Sequence, residues 1–139
     1  AAERVVMGGI AATILGHFDS LLDWCRRNLS SVTTRQRNEL MSIAAQLQAA
    51  RALVLAATRA MSGNEARFIG PVAAVLSGTL AERFARTAVD VVGMESFVGE
   101  SDVRQFEAFL RLAPMYVIGG GTNDIQRGTI ARSLGLPRE

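Results

Sequence analysis

The chain has 139 residues, 49% of them apolar and 20% charged, with a net charge of +2. That length suits one hydrophobic core, and the composition excludes intrinsic disorder, which needs low hydrophobicity and high net charge. All 15 cations are arginines, scattered along the chain with Arg26-Arg27 the one adjacent pair, so there is no basic stripe of the kind that binds nucleic acid.

Helical periodicity starts at once. Val6, Ile10, Ile14, Phe18, Leu21, Leu22 and Cys25 fall three or four apart, which predicts one face of a first helix. The stretch Ser30 to Thr34 breaks that pattern and offers N-caps for the next helix. Leu40, Ile43, Leu47, Val54, Ala57 and Met61 form a second stripe, followed by a turn at Ser62-Gly-Asn64. Val72, Val75, Leu76, Leu80, Phe84, Ala88, Val91 and Val92 form a third, with Pro71 expected in its first turn, where a missing N–H costs little. Gly93 to Ser101 reads as irregular. Val103, Phe106, Phe109 and Leu110 predict a shorter fourth helix that Pro114 ends or kinks. After the glycine run Gly119 to Gly121, Thr122 or Asn123 caps a last helix that stops at Gly135.

No segment alternates as a strand does, and there is no internal repeat. The expected fold is all-α: an antiparallel up-down four-helix bundle with an additional short C-terminal helix. The alanine pairs Ala44-Ala45, Ala49-Ala50 and Ala56-Ala57 allow close helix approach, either inside the bundle or against another subunit. No apolar run reaches the length of a membrane span, and Glu3 and Arg4 interrupt any leader, so neither a membrane partner nor a signal peptide is expected. The single cysteine, Cys25, permits no internal disulfide and fits a reducing cytoplasm.

Metal chemistry finds no support, because His17 and Cys25 are alone of their kinds and no carboxylate pair accompanies them at ligand spacing. His17 lies beside an apolar stripe and reads as a packed or solvated histidine. The strongest local signal is Gly119-Gly120-Gly121-Thr122 ahead of a helix. There the free backbone N–H groups and the positive end of the helix dipole can hold an anion or a carbonyl oxygen. It is not a P-loop, since no lysine follows and no strand precedes it.

The segments Gly120-Gly-Thr-Asn-Asp-Ile-Gln-Arg127 and Ile130-Ala-Arg-Ser-Leu-Gly-Leu-Pro-Arg138 together closely resemble the carboxyl-terminal signature of the acyl-CoA dehydrogenases. The resemblance reaches back through Phe109-Leu110-Arg111 and Tyr116 and continues more weakly over the rest of the chain. It implies that residues 1–139 correspond to the last, four-helix-bundle domain of that family, without the amino-terminal helical and β domains. The implied reaction is α,β-dehydrogenation of an acyl-CoA thioester: a carboxylate removes the α-proton, and a hydride leaves the β-carbon for the flavin of FAD. The resemblance further implies an acyl-CoA substrate, a homo- or hetero-oligomer built through the bundle, and electron-transfer flavoprotein as an acceptor. A lone bundle, lacking the domain that covers the flavin, is expected to be inactive and not to bind FAD tightly.

In much of the family the base is a glutamate directly before Gly-Thr, and here that position is Gly120. Its N–H can donate to the thioester oxygen, but it cannot take a proton. The isovaleryl- and long-chain-type members carry the base in a Glu-Arg pair ahead of the first apolar run. The match here is Ala2-Glu3-Arg4-Val5-Val6-Met7-Gly8-Gly9. The resemblance therefore implies Glu3 as base, Gly120 as carbonyl donor, and Gly121, Thr122 and Arg4 as cofactor contacts. Two segments depart from the pattern. Arg27-Asn-Leu-Ser-Ser-Val-Thr-Thr34 lacks the Phe-Gly that reaches a neighbour's flavin, and Asp90-Val-Val-Gly-Met-Glu-Ser-Phe97 keeps only Gly93 of a glycine turn. Both losses suggest a heteromeric dehydrogenase whose unlike subunits share fewer flavins, or a bundle that only scaffolds a catalytic partner.

Overall fold

The structure is a computed structural model. It describes residues 2–60, 64–119 and 121–136, with side chains described from residue 9 and, in the third helix, from residue 68. Among the described residues six helices follow in order: α1 (Ala2–Arg27), α2 (Thr34–Arg59), α3 (Asn64–Val92), the single turn α4 (Glu95–Val98), α5 (Ser101–Ile118) and α6 (Asn123–Ser133). No strand occurs among the described residues.

Cross-helix contacts give the directions. Gln36 of α2 bonds Asp90 of α3, while Glu39 bonds Arg83, so these two helices run antiparallel. Phe109 of α5 meets Phe84 of α3, and the Tyr116 carbonyl lies against Gly78, so α5 is antiparallel to α3. His17 of α1 bonds Gln105, and Arg27 reaches Asp102 at 3.8 Å, so α1 is antiparallel to α5. The result is the expected up-down bundle, with α6 laid along α3.

The core is aromatic at its centre. Phe84 is fully buried and meets Phe18 at 6.0 Å and Phe109 edge-on at 5.7 Å. Such ring pairs add about 0.5–1.5 kcal/mol each beyond the area they bury. Ile14, Leu21, Ile43, Leu80 and Phe106 complete the interior and are almost fully buried. Cys25 is buried with them, and burial pushes its thiol pKa up, as expected of a small hydrophobe without a charged neighbour.

The helix ends follow from their residues. Thr33 and Gln36 form a capping box at the start of α2, from the Ser30–Thr34 segment that sequence marks as a cap. At the far end of α6, Gly135 takes φ +79°. The Leu136 N–H returns to the Ala131 carbonyl and the Gly135 N–H to the Arg132 carbonyl, a Schellman closure that needs a left-handed residue.

Four expectations need correction. First, α3 begins at Asn64, so Pro71 lies inside the helix and not in its first turn. Helix therefore continues through a residue that gives up one intrahelical bond. Asn64 is helical, and the remainder of the predicted turn, Ser62-Gly63, lies outside the described residues. Second, Pro114 does not end α5, which continues to Ile118. Phe109 and Ala113 before the proline and Tyr116 after it all pack on the core, and tertiary burial outweighs the local break. Third, the irregular stretch contains the α4 turn, held by the N–H of Phe97 to the Met94 carbonyl and of Gly99 to the Glu95 carbonyl. Fourth, α2 qualifies as a membrane span by length and composition, its most apolar window reaching a mean hydropathy of 1.5. Interspersed alanines raise the mean across Gln46, Gln48 and Arg51, so no unbroken apolar run is needed. Leu40, Ile43, Leu47, Ala50 and Ala57 of this helix are buried, one face packed on the bundle.

The alanine pairs divide in the same way. Ala50 and Ala57 are buried, whereas Ala45 and Ala49 lie exposed on the outer face.

Candidate functional site

The glycine loop lies where α5 ends and α6 begins. Gly119 caps α5 in an extended conformation, its N–H bonded to the Met115 carbonyl at 2.8 Å. Gly121 has φ +101°, and a Cβ there would stand 3.0 Å from the Gln126 amide nitrogen. That position requires glycine, since other residues pay strain in the left-handed region. Thr122 is the N-cap of α6, and its hydroxyl accepts from the Ile125 N–H at 3.3 Å. Asn123 and Asp124 open α6, where the first turn of a helix leaves N–H groups without an intrahelical acceptor. The turn is thus a concentration of backbone donors at the positive end of an 11-residue helix, able to hold a carbonyl oxygen or an anion.

Helix directions bring a second element to this end of the bundle. From the His17–Phe109 ring contact, at 4.7 Å, α1 runs back towards its start while α5 runs forward to the loop. The 14 residues from His17 to Glu3 span about 21 Å, and the ten from Phe109 to Gly119 about 15 Å. The backbone of Glu3 and Arg4 falls in the first turn of α1. Their side chains, and Gly120 as a whole, lie outside the described residues. Of the residues singled out in sequence, Gly121 and Thr122 are therefore described directly, and they share the loop.

The loop rests on a step of α3 that sequence reasoning missed. Gly78 is buried, and a Cβ there would stand 2.9 Å from the Tyr116 carbonyl oxygen and 3.4 Å from Asn123 Oδ1. The Asn123 amide donates to Thr79 Oγ1 at 3.3 Å. The available signal was a glycine in the interior of a long helix, which costs about 1 kcal/mol relative to alanine and so asks for a reason.

The opposite end of the bundle is different in character. There lie residues 27–34 and 90–97, the two segments that depart from the family pattern, and polar side chains beside them are bonded within the chain. Gln36 is buried and donates its amide to both the carbonyl and the carboxylate of Asp90. Arg35 pairs with the same carboxylate at 2.9 Å. Arg26 pairs with Asp23, and Arg37 donates to the Leu29 carbonyl. Met94, Phe97, Val98 and Leu29 are exposed apolar side chains at this end. These residues do not fit the phosphates of a dinucleotide, which call for uncommitted cations and backbone donors. The glycine loop does fit the polar edge of a flavin or the carbonyl of a thioester.

An open groove of about 380 Å³ lies on the polar face of α3, lined by Glu39, Thr79, Glu82, Arg83, Arg86 and Thr87. Within it the Arg83 guanidinium is engaged by Glu39 at 2.6 and 2.9 Å and by Ser42 at 3.0 Å. This geometry ties α2 to α3 and commits the Nε and Nη2 donors of Arg83 within the chain. His17 is likewise structural, its Nδ1 at 2.9 Å from Gln105 Oε1 and its ring against Phe109. No metal-ligand cluster is present among the described residues.

Comparison with known proteins bears on the whole chain. The family model described as acyl-CoA dehydrogenase, C-terminal domain, matches residues 1–135. No curated protein matches the sequence. Among solved structures, a steroid ACAD variant of the pair Tcur3481-Tcur3483 superposes with a TM-score of 0.85 at 21% identity, over 99% of this chain and 38% of that one. The ChsE4-ChsE5 complex from Mycobacterium tuberculosis superposes with a TM-score of 0.79 at 22% identity, over 93% of this chain and 37% of that one. At these identities the likeness is one of fold, and the chain spans little more than a third of the length of either structure. The match over residues 1–135 makes this chain a member of the acyl-CoA dehydrogenase family, corresponding to its carboxyl-terminal domain.

Proposed function

We propose that this chain is the carboxyl-terminal part of an FAD-dependent acyl-CoA dehydrogenase subunit, acting on the α,β-carbons of an acyl-CoA thioester within a heteromeric assembly. The observation that carries the reading is the loop of Gly119, Gly121 and Thr122 at the start of α6, on the end of the bundle towards which α1 begins.

FAD, when bound, supplies the hydride acceptor. The chain's own residues do the rest. The loop's backbone N–H groups, that of Gly120 among them, polarise the thioester carbonyl and so acidify the α-carbon; donors fixed in place act without reorganising during the reaction. Glu3 takes the α-proton onto its carboxylate, the role that Gly120 has no side chain to fill. Thr122 caps the helix, and Gly121, Thr122 and Arg4 would be the contacts that hold the cofactor. A carboxylate suits this work when its surroundings raise its pKa towards the working pH.

Two observations support the heteromeric form. Gln36 and Arg35 bond Asp90 within the chain, which supports a far end that leaves a neighbour's flavin site to other elements. The two structures of like fold are also described as a pair and a complex of differently named proteins. On this reading the protein works in the cytoplasm, passes electrons to an electron-transfer flavoprotein, and is inactive as an isolated bundle.

A second reading keeps the assembly and drops the catalysis, leaving the bundle as a scaffold for a catalytic partner. The same committed donors favour it. The visible spectrum of the intact subunit, purified with its partner, separates the two. A flavin band that bleaches on adding acyl-CoA, and no longer bleaches in Glu3→Gln, supports the enzyme. Bleaching that survives Glu3→Gln removes Glu3 as the base. An assembly that stays colourless when supplied with FAD supports the scaffold.

A further inference from the structure

We propose that Gly78, Thr79 and Asn123 are positioning residues, forming a latch that holds the glycine loop at one height against α3. The inference rests on the reading of that loop as the thioester-binding element.

The three glycines carry no side chains and have more backbone freedom than any other residues. Glycine's own backbone preferences do not select one conformation, yet a carbonyl-binding N–H must be placed to within about 0.5 Å. The constraint has to come from the chain entering and the chain leaving the loop. Both meet α3 at the same place. On entry, the Tyr116 carbonyl sits 2.9 Å from where a Gly78 Cβ would be. Only a residue without a side chain lets the last turn of α5 come so near the α3 backbone, and the atom it would strike is main chain, which cannot swing away. On exit, Asn123, the first residue of α6, donates its amide to Thr79 Oγ1 at 3.3 Å and brings its Oδ1 over Gly78.

Entry and exit are thus pinned to consecutive residues of one rigid helix. The span between Tyr116 and Asn123 is set by α3, not by the loop. The ring of Tyr116, 5.8 Å from Phe109, carries the same registration into the aromatic core. Thr79 and Asn123 are not in the core, so their bond is available for placing α6 without bearing the fold.

Hydrogen–deuterium exchange on the intact subunit in its native assembly tests the latch. Gly78→Ala is expected to speed exchange of residues 117–126 by about tenfold or more, with α1 and α2 unchanged. Thr79→Val and Asn123→Ala, which leave the core intact, should each speed it several-fold in the same segment. Thr79→Ser, which restores the acceptor, should return it to normal. Unchanged exchange in Thr79→Val and Asn123→Ala overturns the proposal, as does acceleration spread evenly over the bundle. Turnover separates this proposal from the functional reading. A loosened loop that lowers kcat about fivefold, with KM for acyl-CoA nearly constant, supports both. A loosened loop with unaltered acyl-CoA turnover keeps the latch and removes the loop from the chemistry.

Discussion

The side-chain amide of Gln36 caps the start of α2 with its oxygen and joins it to Asp90 near the end of α3 with its nitrogen. Its oxygen accepts from the Thr33 N–H at 3.0 Å and the Thr33 hydroxyl at 3.1 Å. Its nitrogen donates to the Asp90 carbonyl at 3.0 Å and to the Asp90 carboxylate at 3.1 Å. Gln36 is buried, so truncation leaves several groups unsatisfied at once. Gln36→Ala is expected to lower stability by about 2 kcal/mol, read as a fall in the urea midpoint at unchanged m-value.

The Arg83–Glu39 pair predicts an acid limb in the stability profile. Hydrogen bonding from Arg83 holds the Glu39 carboxyl below its usual range, while the unfolded chain titrates near pH 4.3. A folded-state pKa that is depressed contributes stability in full above the unfolded value. That stability is lost as pH falls through the folded value. Both side chains are about a third exposed, so after solvent screening the contribution is about 0.5–1 kcal/mol. Urea midpoints taken from pH 6 down to pH 2.5 should fall less steeply in Glu39→Gln than in the parent protein.

Ser77 is fully buried on α3, and its hydroxyl has no hydrogen-bond partner among the described residues. A buried hydroxyl without a partner costs free energy that alanine does not, and alanine is also the better helix former. Ser77→Ala is expected to raise stability by about 1 kcal/mol. A fall in the thermal midpoint would show that the hydroxyl has a partner, such as a bound water.

Gly121→Ala places a side chain at φ +101° with its Cβ 3.0 Å from the Gln126 amide. The expected cost is about 1–3 kcal/mol of backbone strain, released by local loosening at the start of α6. Amide exchange in that segment should rise far more than exchange in the Phe84 core, which is remote from the loop.

Sequence alone determined the bundle. The three-and-four spacing from Ile10 to Cys25, from Leu40 to Ala57 and from Val72 to Val92 depends only on which residues are apolar and how far apart they stand, and each stripe became a helix with that face inside. The Ser30–Thr34 segment, the Thr122-Asn123 pair and Gly135 likewise announced helix ends, and Thr33 and Thr122 proved to be the caps, because capping is chemistry between residues a few positions apart. The glycine loop and its family signature were legible for the same reason, lying within one short continuous segment. Tertiary structure alone decided whether Pro71 and Pro114 would interrupt their helices, since the answer depended on what the helices pack against beyond them. It also decided that Gln36 and Arg35 would turn to Asp90, more than 50 residues away, and that Gly78 would receive the Tyr116 carbonyl. A contact between distant segments leaves no periodic trace in either one. Gly78 shows in the sequence only as an unexplained glycine within a helix, and its reason appears when α5 and α6 are folded against it.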